Sequence, residues 1–241
     1  MGVTPSLTIV HLYPVEMNIY GDRGNVATLA KRLEWRGYTA DIREVRVGEA
    51  FDLRRADLIF AGGGQDRGQV SVGHDLAARG DAILNAADDG VVMLTICGTY
   101  QLFGRGFTTI EGAHIPGIGL FAAETVGSRR RMIGNVVAES PFGRLVGFEN
   151  HSGRTLLDRD QPQLAQVVKG HGNDGDSGGE GAARGHVYGT YLHGPVLPKN
   201  PRFADALLLA ALTRRHGVTE LEPLDDALER RAADVAAGRP Q

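Results

Sequence analysis

The stretch Val91-Val92-Met93-Leu94-Thr95-Ile96-Cys97-Gly98-Thr99-Tyr100-Gln101-Leu102 carries the reading of the fold. Its first six residues are apolar or β-branched with no alternation, the mark of a strand covered on both faces. Gly98 permits a sharp turn and the residues after it open a short helix, so Cys97 stands at a strand–turn–helix junction. Such a junction exposes the side chain at its corner, and the following helix N-terminus favours an anion. Thiolate is the attacking form of cysteine, so this is a setting for a nucleophile. A lone cysteine can also serve as a small buried hydrophobe; Gly98 beside it and Gln101 four residues on favour the nucleophile.

Outward from this stretch the pattern alternates. Leu7–Leu12, Thr39–Val45 and Asp57–Ala61 read as strands, the last ending in Gly62-Gly63-Gly64. Val26, Leu29, Ala30 and Leu33 recur at helical spacing before Gly37, and a second helix is expected over Asp75–Ala87. Strands alternating with helices predict an α/β fold, with a mostly parallel central sheet flanked by helices. After about Ile118 short strands follow at Met132–Ala138, Leu145–Phe148, Leu164–Val168 and His186–Leu192, read as antiparallel additions in the C-terminal half. Lys169–Gly185, with seven glycines, is expected to be a mobile hairpin loop. A helix is expected over Phe203–His216 and a last, solvated one over about 223–237, with the tail after Ala233 loose. The whole of 1–241 reads as one domain with a core over about 7–215.

Composition removes several functions. A chain of 241 residues with 42% apolar side chains can bury a core without staples, and one cysteine excludes an intrachain disulfide. A net charge of −3 gives no basic footprint for nucleic acid. No apolar run approaches the ~18–20 residues of a membrane span, and the first residues lack the pattern of a secretory signal, so a cytoplasmic location is expected. The histidines show no metal-ligand spacing, and Gly62-Gly63-Gly64 lacks the lysine of a phosphate-binding loop.

Thr95-Ile96-Cys97-Gly98-Thr99-Tyr100-Gln101 resembles the nucleophile motif of class I (triad-type) glutamine amidotransferases. Phe60-Ala61-Gly62-Gly63-Gly64-Gln65-Asp66 resembles the glycine turn that precedes it in that family. Tyr188-Gly189-Thr190-Tyr191-Leu192-His193-Gly194-Pro195 resembles the segment bearing the catalytic histidine. Within the class the chain is most similar to the cobyric-acid-synthase-like branch. Tyr20-Gly21-Asp22-Arg23-Gly24-Asn25 and Gly147–Thr155 further resemble the stand-alone glutaminase subunits of lipid II isoglutaminyl synthases.

The resemblance implies hydrolysis of L-glutamine, with Cys97 as nucleophile and His193 as general base and acid. Backbone N–H groups of Gly63 and Gly98 would form the oxyanion hole, and Gln101 would help hold the substrate. Arg131, in Arg129-Arg130-Arg131, is either part of a solvated basic turn or a partner for a substrate carboxylate. Asp22 is read as a helix cap, and His151 as a loop histidine that the resemblance brings near the site. The family usually carries an acidic residue two positions beyond the histidine; Pro195 stands there. Either a group elsewhere orients the imidazole or a partner chain supplies the carboxylate on docking, and the partner is the favoured reading.

Amidation needs an activated acyl group, and the chain has no segment to make one. No cofactor is expected here; ATP and magnesium would belong to a separate Mur-ligase-like (MurT-type) synthetase acting on lipid II. That would bring the protein to the inner face of the membrane through the lipid-linked substrate. The alternatives are glutamine hydrolysis for another amidation, such as that of cobyrinic acid, a non-catalytic module keeping the fold, and a cysteine hydrolase or redox sensor on a related fold that would use Cys97 without glutamine.

Overall fold

The computed structural model describes residues 5–64 and 66–239. The first half runs β1 (Ser6–Leu12), α1 (Arg23–Glu34), β2 (Thr39–Val45), β3 (Leu58–Ala61), α2 (Asp66–Ala78), α3 (Gly80–Asp88), β4 (Val92–Ile96) and α4 (Gly98–Phe103). It continues through β5 (Gly106–Thr108), β6 (His114–Pro116), β7 (Ala123–Ser140), β8 (Gly143–Leu157), β9 (Ala165–Lys169), β10 (Gly179–Glu180), β11 (Ala182–Arg184) and β12 (Val187–Thr190). Helices α5 (Pro201–His216) and α6 (Ala227–Ala237) close the described chain.

The main sheet has the order β11-β12-β4-β3-β1-β2 and is parallel except for the β11–β12 pair. Every residue of β3 and β4 is buried, as their unbroken apolar runs require when helices cover both faces. Thr190 pairs with Ile96, so β12 and β4 deliver His193 and Cys97 to the same carboxyl edge of the sheet. That edge is where ligands bind in open α/β sheets. A buried Arg32 ties α1 to the C-terminal elements, donating to Asp205 on α5 and to Asp226, which precedes α6.

Several expectations are corrected. The C-terminal strands do not simply extend the first sheet: β10, β9, β7, β5 and β6 form a second one, with β8 paired to β7. The segment read as His186–Leu192 joins the main sheet parallel to β4. Met132–Ala138 and Leu145–Phe148 are fragments of the long hairpin β7–β8. In β8 the buried alternate positions include Gly147, Glu149, His151, Gly153 and Thr155, so an apolar code does not register the alternation. The helix expected over Asp75–Ala87 is two helices meeting at Arg79, whose guanidinium bonds the Glu49 carbonyl and Asp75.

Lys169–Gly185 is also not a free loop. The Glu149 carboxylate accepts from the N–H groups of His171 and Gly172, and Asn173 bonds Tyr100 and the Gly181 backbone in the interior. The tail beyond Ala233 continues as helix to Ala237, where Lys169 donates to the carbonyls of Ala237 and Arg239.

Candidate active site

Cys97 joins β4 to α4 with φ +50° and ψ −104°, a region that L-residues rarely occupy. Strain of this kind costs about 1–3 kcal/mol and persists where neighbouring structure over-determines it. Here Cys97 N–H donates to Thr190 O at 2.8 Å, and the Thr99 hydroxyl donates to the carbonyls of Ala61 and Gly62. Both anchors lie on the strands that flank β4.

His193 is fully buried and held in both directions. Its N–H donates to Phe148 O at 2.7 Å and its carbonyl accepts from Phe148 N–H at 3.1 Å, clamping it to β8 of the second sheet. The Tyr20 ring meets its imidazole edge-on at a centroid distance of 5.0 Å. The two candidate groups face each other across Gly63: a β-carbon there would stand 2.7 Å from His193 Cε1 and 3.2 Å from Cys97 Cβ. Only glycine fits between them.

A carboxylate of this chain reaches the imidazole. Asp22 Oδ1 lies 3.3 Å from His193 Nδ1, and both residues are buried. The cap expected of Asp22 is supplied by Asn18, whose Oδ1 accepts from Arg23 N–H at 2.8 Å. Asp22 lies far upstream in sequence, so the usual spacing after the histidine could not reveal it. Pro195 serves packing instead, lying on α1 at Gly24, where a β-carbon would come within 2.5 Å of the proline ring. That contact seats the helix start carrying Asp22 against the His193 loop.

With Nδ1 directed to Asp22, Nε2 is the ring nitrogen left to face Cys97. Burial by itself would lower the pKa of His193. The charge of Cys97, with the hydrogen bond to Asp22, outweighs it and raises the pKa well above the usual histidine range. His193 thus faces the Cys97 sulfur as an imidazolium.

The expected oxyanion donor Gly63 is spoken for, because its N–H donates to Asp22 Oδ2 at 2.7 Å. The next amide, Gly64, lines the pocket and lies 3.2 Å from where a β-carbon on Gly98 would be. Gly98, first residue of α4, has no acceptor for its own N–H within the helix. The amides of Gly64 and Gly98 thus lie side by side at the pocket, and among the described residues no acceptor is seen for either.

Beside Cys97 opens a pocket of about 400 Å³ whose wall includes Gln69, Gln101, Arg131 and His151. Gln101 Oε1 accepts from Gln69 Nε2 at 2.8 Å, and its Nε2 donates to Tyr191 Oη at 3.0 Å. Gln101 is thereby fixed as part of the wall, and Gly153 leaves the room it needs, since a β-carbon there would be 2.4 Å away. Gln69 was not apparent from sequence, lying in a helix start without apolar periodicity. Arg131 sits where β7 bulges between Gly127 and Met132, its Nε donating to Asn150 Oδ1 at 2.5 Å. Among the described residues no carboxylate pairs with it, which leaves its terminal nitrogens for an anion. His151 stacks on Tyr191 at 3.5 Å and lines the pocket, in keeping with the place the resemblance implies for it.

Behind the wall lies Glu180, whose Oε1 accepts from Tyr191 N–H at 3.0 Å while Oε2 has no partner. Burial raises its pKa to about 7. The neutral acid is thus favoured in the folded state, and stability from this group is full below the unfolded value near 4.5 and lost as pH rises through about 7. Glu180→Gln should flatten the fall in melting temperature between mildly acidic and mildly alkaline pH, an effect on the order of 3 kcal/mol. Parallel melting curves for the two proteins across that range would contradict the assignment.

A model for the CobB/CobQ-like glutamine amidotransferase domain matches residues 8–201. The chain belongs to that family. Its relatives include subunit GatD of the glutamine-hydrolysing lipid II isoglutaminyl synthase of Staphylococcus aureus (strain N315), 36% identical over 97% of this chain and 96% of the other. The corresponding GatD of Streptococcus pneumoniae (strain ATCC BAA-255 / R6) is 37% identical over 95% and 89%. A probable cobyric acid synthase of Methanopyrus kandleri is 33% identical, but only 37% of its length is matched, against 73% of this chain. In fold, a glutamine amidotransferase of Thermotoga maritima superposes with a TM-score of 0.55 over 96% of this chain, at 15% identity. The CobB/CobQ-like chain is accordingly a glutamine-hydrolysing amidotransferase. Among its described residues no helix is long and apolar enough to cross a membrane, and no group of three or more His, Cys, Asp or Glu could hold a metal ion.

Proposed function

We propose that this protein is the glutaminase subunit of a lipid II isoglutaminyl synthase, releasing ammonia from L-glutamine for a separate ATP-dependent, Mur-ligase-like synthetase. The observation that carries the chemistry is the buried Cys97–His193–Asp22 alignment at the edge of a pocket rimmed by Arg131. Arg131 holds the α-carboxylate of glutamine, placing the side-chain carboxamide over Cys97. The thiolate attacks the carboxamide carbon, and the tetrahedral oxyanion is received by the N–H groups of Gly64 and Gly98. His193 gives its proton to the departing nitrogen, so ammonia leaves and a γ-glutamyl thioester remains. Water, deprotonated by His193, attacks the thioester; glutamate departs and the thiol is restored.

The acceptor rests on near-full-length similarity to two GatD subunits, in contrast to the partial match with the cobyric acid synthases. On this reading ATP and magnesium are held by the partner, and the amide is formed on D-glutamate of the peptidoglycan stem peptide. The test is mass-spectrometric labelling with a diazo-ketone analogue of glutamine, followed by ammonia transfer to lipid II in the presence of the synthetase. An adduct on Cys97 that glutamine suppresses, together with amidated lipid II, is expected. No adduct would overturn the glutaminase; an adduct without amidation of lipid II would overturn the acceptor alone.

A further inference from the structure

A groove of about 590 Å³ lies between α6 and β8, bordered by Gly194, the residue directly after His193. Leu228, Ala232 and Val235 follow at spacings of four and three, so they share one face of α6, and Arg239 lines the groove just past the helix end. Leu228 is 75% exposed and Val235 56%, an apolar stripe turned away from the core. The helix carrying it is firmly held: Arg32 bonds Asp226 at its start, Arg144 pairs with Asp234 in its middle, and Lys169 bonds the carbonyls at its end. The exposed face is therefore presented rigidly.

The charge of the groove is one-sided. Lys199, Arg231 and Arg239 line it and, among the described residues, no acidic one does, in a chain whose net charge is −3. The guanidinium groups of Arg231 and Arg239 have no carboxylate partner among the described residues. At the floor, Lys199 Nζ donates to Gly194 O at 2.7 Å and Pro195 O at 3.0 Å, the two residues directly after His193. Phe148, whose backbone clamps His193, lines the same groove.

We infer that this groove is the docking site for an acidic, amphipathic segment of the synthetase subunit, apolar side chains on the Leu228–Val235 stripe and carboxylates on Arg231 and Arg239. The inference rests on the proposed function for the existence of that subunit; the groove and its charge specify where it binds and with what chemistry. An occupant seated there touches the Lys199 link to Gly194 and Pro195, so docking is felt at the His193 loop. Complementary charge of this kind steers association and makes it salt-dependent.

The test measures binding of the full chain to the Mur-ligase-like polypeptide encoded by the same genome, at low and high salt. The variants are Arg231→Glu/Arg239→Glu and, separately, Leu228→Asp. All three side chains are exposed and outside the catalytic machinery, so glutamine hydrolysis by the free chain and its melting temperature should stay at wild-type values. Each variant should bind at least about tenfold more weakly, and the double charge reversal should lose most of the salt dependence. Wild-type affinity in both variants would overturn the docking site while leaving the partner intact. No binding by the wild-type chain would remove the partner and the docking site together. Unchanged synthetase binding with lost binding to vesicles of anionic phospholipid would assign the groove to a membrane surface and overturn the inference.

Discussion

Replacing Cys97 by alanine should abolish glutamine hydrolysis, with a loss of roughly 10⁴-fold or more in kcat, and remove labelling by the diazo-ketone analogue. The fold should survive, because the side chain lost is small. A second outcome tests the elbow itself. Cys97 holds φ +50° and ψ −104°, which alanine must also adopt, whereas glycine enters that region without strain. Relief of about 1–3 kcal/mol outweighs the extra entropy that glycine loses on folding, about 0.5–1 kcal/mol. Cys97→Gly should therefore melt at a higher temperature than Cys97→Ala, while both are inactive. A glycine variant less stable than the alanine variant would mean that the backbone is not strained there. Hydrolysis retained by either variant would remove Cys97 as nucleophile.

Asp22→Asn should lower kcat by about 10²–10⁴-fold with little change in KM. An amide in place of the carboxylate offers no charge to the imidazolium and can enforce the wrong tautomer. The side-chain carbonyl of asparagine can still accept from Gly63 N–H, and Asn18 still caps Arg23, so the helix start has its hydrogen bonds. The same variant gives a pH signature. The pKa of His193, opposed by burial, is pushed up to about 10 by the charge of Cys97 and by Asp22. Stability from the protonated imidazole is full below its unfolded value near 6.5 and lost as pH rises through about 10. Removing one of the raising groups moves the alkaline limb of kcat/KM, and the alkaline fall in stability, to lower pH. A variant with wild-type kcat and an unmoved alkaline limb would show that Asp22 does not orient His193. The carboxylate would then have to come from a docked partner.

These two residues also mark how far the sequence could be read. The β4–Cys97–α4 junction was legible because its signals are local: an unbroken apolar run, then glycine, then helix spacing. The parallel core followed from other such runs, and motif resemblance brought His193 to the same site. Asp22 was not legible in its role. It looks like any helix cap, and its contact with His193 depends on β1 and β12 ending at one edge of the sheet. Gly63 and Gly64 are indistinguishable as neighbours in a glycine run; which amide is free depends on Asp22 reaching Gly63.

The long hairpin β7–β8 was seen only in fragments for a related reason. Its inward positions carry Glu149, His151 and Thr155, polar groups buried because they bond the Lys169–Gly185 segment and the pocket wall. The same bonds turn a glycine-rich stretch that resembles a mobile loop into packed structure.

By itself the sequence determined the α/β core and the strand–turn–helix corner at Cys97, because short-range periodicity and turn chemistry encode them within a few residues, while His193 was reached through motif resemblance. Only the tertiary structure brought Asp22 to His193, set the Gly64 amide rather than that of Gly63 towards the pocket and left one face of α6 exposed. Each of those depends on distant segments being brought within hydrogen-bond distance, or left uncovered, by the packing of two sheets.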